Sequence, residues 1–142
     1  MRVILVVNIM NIRLKTTVSD ETRINELQTL LQVSSKAAVM RLAIAYSIRL
    51  KTDPRISNGI IKKYDIKNQN GNDYLRYTIF GDDEIFYKLI MEQSINSHLD
   101  DDTFFPEMTE AHLNRGITIL LGEVKLAGSK DKYIKKLLSE KR

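Results

Sequence analysis

Apolar and polar residues alternate from Asn11 to Val18, with Ile12 and Leu14 on one side and Arg13, Lys15 and Thr17 on the other. Period-two alternation with β-branched residues predicts a strand with one buried face. Ser19 is a suitable N-cap, and Asp20 and Glu21 put negative charge where a helix dipole favours it. Ile24, Leu27 and Leu31 then recur at helical spacing to about Gln32. Val33-Ser34-Ser35 breaks the pattern and offers a second cap. From Lys36 to Leu50 the next helix carries Ala37, Val39, Met40, Leu42, Ala43, Ile44, Tyr46 and Ile48. It is apolar over most of its circumference, so it belongs at the centre of the fold or in a subunit interface.

Pro54, Asn58-Gly59 and Asn70-Gly71 mark a long connection from Lys51 to Asp73, with Lys62, Lys63 and Lys67 clustered around Tyr64. Tyr74 to Phe80 reads as a short strand or extended segment closed by Gly81. Asp82 or Asp83 caps a helix with Ile85, Phe86, Leu89, Ile90 and Ile95, ending near His98. After Asp100-Asp101-Asp102 and Phe104-Phe105-Pro106, a helix is expected from Glu107 to Leu121. Gly122 and Gly128 punctuate the stretch beyond Leu121, and Lys130 to Arg142 reads as a basic helix, frayed or terminal. The expected fold class is mainly α. A ribbon-helix-helix-like strand-helix-helix unit (11–50) is followed by further helices in a single compact domain. Residues 1–10 form an N-terminal extension, 11–127 the helical domain and 128–142 a basic C-terminal tail.

The 142 residues are enough for one core, and 43% hydrophobic with 28% charged is an ordinary globular composition. The absence of cysteine excludes disulfides, thiolate metal sites and cysteine nucleophiles. The apolar run Val3 to Val7 is too short to span a bilayer and lacks a cleavage site. It reads as a short buried strand, or as an upstream extension with the start at Met10. The expected location is the cytoplasm. Net charge is +4, unevenly distributed: residues 1–67 hold 12 Lys/Arg against 5 Asp/Glu, residues 68–112 hold 2 against 10, and residues 113–142 hold 8 against 3. A basic front, an acidic middle and a basic tail suit a polyanion on one face and a basic partner on another, unless folding interleaves them.

In a ribbon-helix-helix dimer, paired strands lie in the major groove with alternate side chains facing the bases. Arg13, Lys15 and Thr17 have that spacing, and Arg and Lys suit guanine edges or phosphates. An exposed edge strand kept soluble by charge has the same pattern. Ser34, Ser35 and Lys36 stand at a helix start, which favours a phosphate or needs only ordinary capping. Lys62, Lys63 and Lys67 suit either a DNA backbone or a solvated loop. His112, Asn114 and Arg115 have the residue types of phosphodiester chemistry, but His112 has no metal-ligand spacing around it. At i,i+3, His112 and Arg115 share a helix side and can bridge to an acidic neighbour, and this structural role outweighs catalysis. The order of Asp100–Asp102 fails the calcium-loop pattern, and no nucleophile elbow, glycine phosphate loop or carboxylate pair appears. The expectation is a protein without catalytic residues, metal or cofactor.

Four segments together resemble the DndE family over roughly residues 11–127: Ile12-Arg13-Leu14-Lys15, the Lys36-to-Leu50 helix with Arg41-Leu42-Ala43, Arg76-Tyr77-Thr78-Ile79-Phe80-Gly81, and Ala111-His112-Leu113-Asn114-Arg115-Gly116. The last two are the specific part, through Arg76, Tyr77, Gly81, His112, Asn114, Arg115 and Gly116. DndE belongs to the bacterial DNA phosphorothioation system, which replaces a non-bridging phosphate oxygen with sulfur. The resemblance implies a mainly helical homotetramer that binds double-stranded DNA with a preference for nicked duplex. It also implies work beside DndC, the sulfur-transferring component, and DndD, an ATPase, with a cysteine desulfurase as sulfur source. Arg2 to Ile9 and the lysine-rich tail after Ala127 depart from the family pattern. A ribbon-helix-helix repressor or antitoxin is the alternative, although the ninety-odd residues after Leu50 count against it. A nuclease is disfavoured by the lack of a metal cluster in the sequence.

Overall fold

The computed structural model describes residues 13–61, 64 and 69–140. Ile12, Lys62, Lys63, Lys67 and the segment Arg2 to Ile9 lie outside the described residues. The chain runs β1 (Arg13–Lys15), α1 (Val18–Leu31), α2 (Lys36–Ile48), β2 (Ile56–Ser57), β3 (Ile60–Ile61), β4 (Asp73–Leu75), α3 (Arg76–Phe80), α4 (Glu84–Ile95), α5 (Thr109–Ala127) and α6 (Lys130–Glu140). It is a mainly helical single domain that opens with the expected strand-helix-helix unit.

Helix α1 starts two residues earlier than the Ser19 cap predicts. Thr17 is the N-cap: its hydroxyl accepts from Asp20 N (3.0 Å), and the Asp20 carboxylate takes the Thr17 N–H (3.3 Å). This reciprocal box satisfies two donors that a lone serine could not. Thr17 therefore turns off the strand and does not extend it. At α2 the expected cap holds, with Ser35 Oγ accepting from Ala38 N (3.3 Å).

Helix α2 is central. It packs most extensively along α5, with α1 and α3 on its flanks. Val39, Met40, Ala43, Ile44 and Ile48 are all buried there. The backbones approach so closely that a Cβ added at Gly116 would land on the Ala43 carbonyl. Small residues on both helices permit that approach, and it fixes how the two cross.

The segment Tyr74 to Phe80 departs from its extended reading. Only Tyr74 and Leu75 belong to β4; Arg76–Phe80 is helical. Gly81, at φ 57° and ψ −134°, ends the helix in a conformation that side chains resist. Arg41 Nη1 donates to the Ile79 carbonyl (3.0 Å), pairing an acceptor that a five-residue helix leaves open. Phe80 stacks with Phe104 and meets Phe105 edge-on, closing this end of the core. The one break on the way into α5 is at Phe105 (φ −134°, ψ 121°); helical backbone resumes after it, consistent with the expected start at Glu107, and runs through a π-helical turn into α5. Gly122 lies inside α5, which ends at Gly128 rather than Leu121. Helix α6 folds back through the buried Tyr133, whose hydroxyl donates to Glu123 (3.1 Å).

Candidate nucleic-acid interface

Strand β1 pairs antiparallel with β4 of the same chain, Leu14 opposite Tyr74. Leu14 is fully buried while Arg13 is exposed and Lys15 half-exposed, so the alternation read from the sequence is real. The backbone of Lys15 faces away from β4. Its N–H donates to Tyr64 Oη (3.0 Å), and its carbonyl accepts from Gln69 Nε2 (3.1 Å) and Tyr64 Oη (3.3 Å). Side chains of the long connection thus occupy the outer edge of β1 at Lys15.

Beneath β1 lies Glu21, which the sequence marks only as first-turn charge on α1. Its carboxylate accepts from Thr16 Oγ1 (2.7 Å), Lys36 Nζ (2.7 Å), Tyr74 Oη (2.8 Å) and Asn72 Nδ2 (2.9 Å). Burial pushes this carboxyl up, but the hydrogen bonds from Lys36, Thr16 and Tyr74 prevail and hold it below its usual value. Glu21 in turn raises the Lys36 ammonium. The Lys36 charge is therefore directed inward, and Thr17 and Ser35 serve as helix caps. Of the described residues expected to meet DNA, Arg13 and Lys15 remain as outward cations. Arg49 and Lys51, just past the C-terminal end of α2, are exposed cations that no sequence signal marks.

The residues of Ala111–Gly116 clamp α5 to two neighbours. Asn114 Nδ2 donates to Asp20 Oδ1 (2.8 Å), reaching the capping box of α1. Arg115 donates from Nε to Ser47 Oγ (2.8 Å), from Nη2 to the carbonyls of Ser47 (2.7 Å) and Thr52 (3.0 Å), and from Nη1 to Thr52 Oγ1 (2.7 Å). These bonds close the C-terminal turn of α2, where backbone carbonyls lack helical partners. His112 is fully buried, with Nδ1 hydrogen-bonded to Ser47 Oγ (2.8 Å) and Nε2 unpartnered among the described residues. Burial, reinforced by the Arg115 guanidinium, lowers its pKa from 6.5 to about 3, so the ring is neutral near pH 7. His112 and Arg115 do share a helix side, but they meet a serine, not the anticipated acidic group. Sequence could not name Ser47, which lies 65 positions from His112.

The second motif also braces the fold. Arg76 binds Glu84 and Asp101 and lies over Phe104 and Phe105, with its guanidinium carbon 5.7 and 5.1 Å from their ring centres. Tyr77 beside it is exposed. Charges from the three sequence segments interleave at Arg55–Glu107 and Lys125–Glu26, whereas Lys36–Glu21 and Arg76–Asp101 pair within one segment.

A family described as DNA sulphur modification protein DndE matches residues 13–128, from the first residue of β1 to the glycine that ends α5. The chain belongs to the DndE family. Membership gives it a role in DNA sulphur modification. No curated protein matches the chain. The matched span includes both braces, so the Arg76–Gly81 and Ala111–Gly116 segments of this DndE-family chain are parts of its framework. Among the described residues, no three His, Asp or Glu side chains gather as metal ligands, and no helix is long and apolar enough to cross a membrane.

Proposed function

We propose that this DndE-family chain is a non-catalytic subunit of the phosphorothioation system, binding double-stranded DNA through the basic surface around β1. The observation that carries this reading is the outer face of β1. Arg13 and Lys15 stand there as outward cations, on a strand held in place by Tyr64, Gln69 and the Glu21 cluster. Tyr64 is flanked in sequence by Lys62, Lys63 and Lys67, which adds positive charge to the same connection. Cations on a braced surface neutralise phosphates without reading bases. The preference for nicked duplex, the homotetramer, the partners DndC and DndD and a cytoplasmic location complete the reading, on the strength of the family resemblance. The fully buried His112, engaged with Ser47, supports the non-catalytic part.

A ribbon-helix-helix repressor would pair β1 with the same strand of a second subunit. The Tyr64 and Gln69 bonds to Lys15 lie on the edge that such pairing uses, which weighs against that reading.

The test measures affinity for intact, nicked and sulphur-modified duplexes over a salt series. Affinity is expected to fall steeply with salt, with a higher value for nicked duplex and little dependence on sequence. Replacing Arg13 and Lys15 with alanine should lower the log–log salt slope by about 0.9 for each lost phosphate contact, equally on every sequence. Affinity that follows one operator and ignores nicks would overturn the proposal. So would nicking of a plasmid by the purified protein with a divalent metal.

A further inference from the structure

Among the described residues, two of the open apolar surfaces differ in charge. The first is on α4 and α3: Ile85 is 58% exposed, Phe86 63%, Leu89 53% and Tyr77 68%, with Leu75 and Ile90 also exposed. Six large side chains are thus open to solvent on and beside these helices. Clustered apolar exposure of this kind marks an interaction site. Exposed Asp82 and Asp83 sit at the N-terminal end of α4. The second surface is a groove of about 480 Å³ between α2 and α6. Leu42, Tyr46, Leu120, Ile134 and Leu137 line it, and Arg49 and Lys130 supply positive charge at its walls. The hydroxyls of Tyr46 and Tyr133 are both bound to Glu123, which leaves their rings as apolar wall.

We propose that the groove between α2 and α6 receives α4 of a second copy of this chain. A helix seats in such a groove through anchors at i, i+3, i+4 and i+7, and Phe86, Leu89, Ile90 and Gln93 of α4 have that spacing. The acidic start of α4 faces a groove whose charges are basic, which fixes the orientation and disfavours pairing of one α4 with another. Arg49 also lines a smaller cleft with Ile48, Lys51 and Ile90, so the groove and the α4 surface meet there. That adjacency lets two copies exchange their α4 helices reciprocally about a two-fold axis, so that both apolar surfaces are covered.

This interface shares only self-association with the proposed function and stands apart from DNA binding. Its test is the molecular mass in solution of the wild type, of Phe86→Glu, of Leu42→Glu, and of the two variants mixed. Both positions are exposed, so circular dichroism should show unchanged folding. The wild type is expected to run as an assembly and each variant alone at a lower mass, because this contact is lost. The mixture should regain mass, because each mixed pair keeps one intact helix and one intact groove. A mass unchanged by Leu42→Glu, or no recovery on mixing, would overturn the interface while leaving self-association intact. A monomeric wild type would overturn both the interface and the proposed oligomer, and duplex affinity would still test the DNA reading separately.

Discussion

Helix α2 buries Val39, Met40, Ala43, Ile44 and Ile48, whereas α4 leaves Ile85, Phe86, Leu89 and Ile90 about half exposed and buries only Met91. The two helices have nearly the same length, 13 and 12 residues, and, alanines aside, carry six and seven large apolar side chains. Their sequences do not explain the difference. What separates them is the neighbour. Against α2, helix α5 presents Gly116, and the backbones close until no side chain fits between them. Around α4 the chain supplies Phe80 to pack on Tyr87, with ring centres 4.9 Å apart, and little over the outer face. Burial is thus set by what stands opposite a helix, and apolar density alone does not report it.

The sharpest way to break this contrast is at the glycines of α5. In Gly116→Val the added side chain must displace the Ala43 carbonyl, and both groups sit in the interior of packed helices with no room to yield. The expected cost is about 3 kcal/mol or more, seen as a collapse of the urea midpoint or failure to fold. Gly122 lies six residues on in the same helix, is exposed, and has nothing within 4 Å of an added Cβ. There, Gly122→Ala should raise stability by about 0.5–1 kcal/mol by removing backbone freedom from the unfolded chain. Equal effects at the two sites would show that helix propensity, not the close approach to α2, governs this seam.

The same contrast explains what could be read from the sequence. Period and capping signals are local, so the strand at Arg13–Lys15, the helix pair and the Ser35 cap were legible. Thr17, read as a strand residue, caps α1 in place of Ser19 because its bonds with Asp20 are reciprocal. Arg76–Phe80 carries strand-forming residues, yet it is helical because Arg41, from a distant helix, takes the Ile79 carbonyl and Arg76 is anchored by Glu84 and Asp101. Tertiary partners overrode propensity there. The candidate site was legible in Arg13 and Lys15, whose alternation with Leu14 is local. The inward turn of Lys36 was not, because its cause, Glu21, also gathers Asn72 and Tyr74 from more than 50 positions away. The motif residues His112 and Arg115 could be located, but their partner Ser47 could not.

His112 offers a smaller and more selective test of the seam. Its pKa is about 3 in the folded chain against an ordinary imidazole value of 6.5, so below pH 6.5 the unfolded chain binds a proton that the folded chain does not. Stability should fall with acid from about pH 6.5 downward, by at most about 1.4 kcal/mol per pH unit, and level off near pH 3. The depressed carboxylates Glu21, Asp53 and Asp101 act in the same direction, but from their ordinary values of 4.5, 3.8 and 3.8 downward. Between pH 6.5 and 5, His112 is the contributor among these groups. In His112→Gln, urea unfolding across that interval should lose most of its pH slope, whatever the variant's absolute stability. An unchanged slope would mean that the ring can take up a proton where it stands.

The smallest effect is expected on the outer face of α4. Leu89 is 53% exposed, so Leu89→Ser removes little burial from the isolated chain, and its intrinsic stability should change by no more than about 0.5 kcal/mol. Measured at protein concentrations low enough to dissociate any assembly, the urea midpoints of wild type and variant should nearly coincide. At high concentration they should separate, because association adds stability that depends on concentration and only the wild type gains it in full. A loss of about 2 kcal/mol or more in the dilute protein would mean that Leu89 is covered by its own chain, and α4 would then resemble α2 after all. Coincident midpoints at every concentration would mean that nothing covers it. A difference that grows with concentration places the missing neighbour of α4 on a second molecule, which is the physical distinction between two helices of like composition.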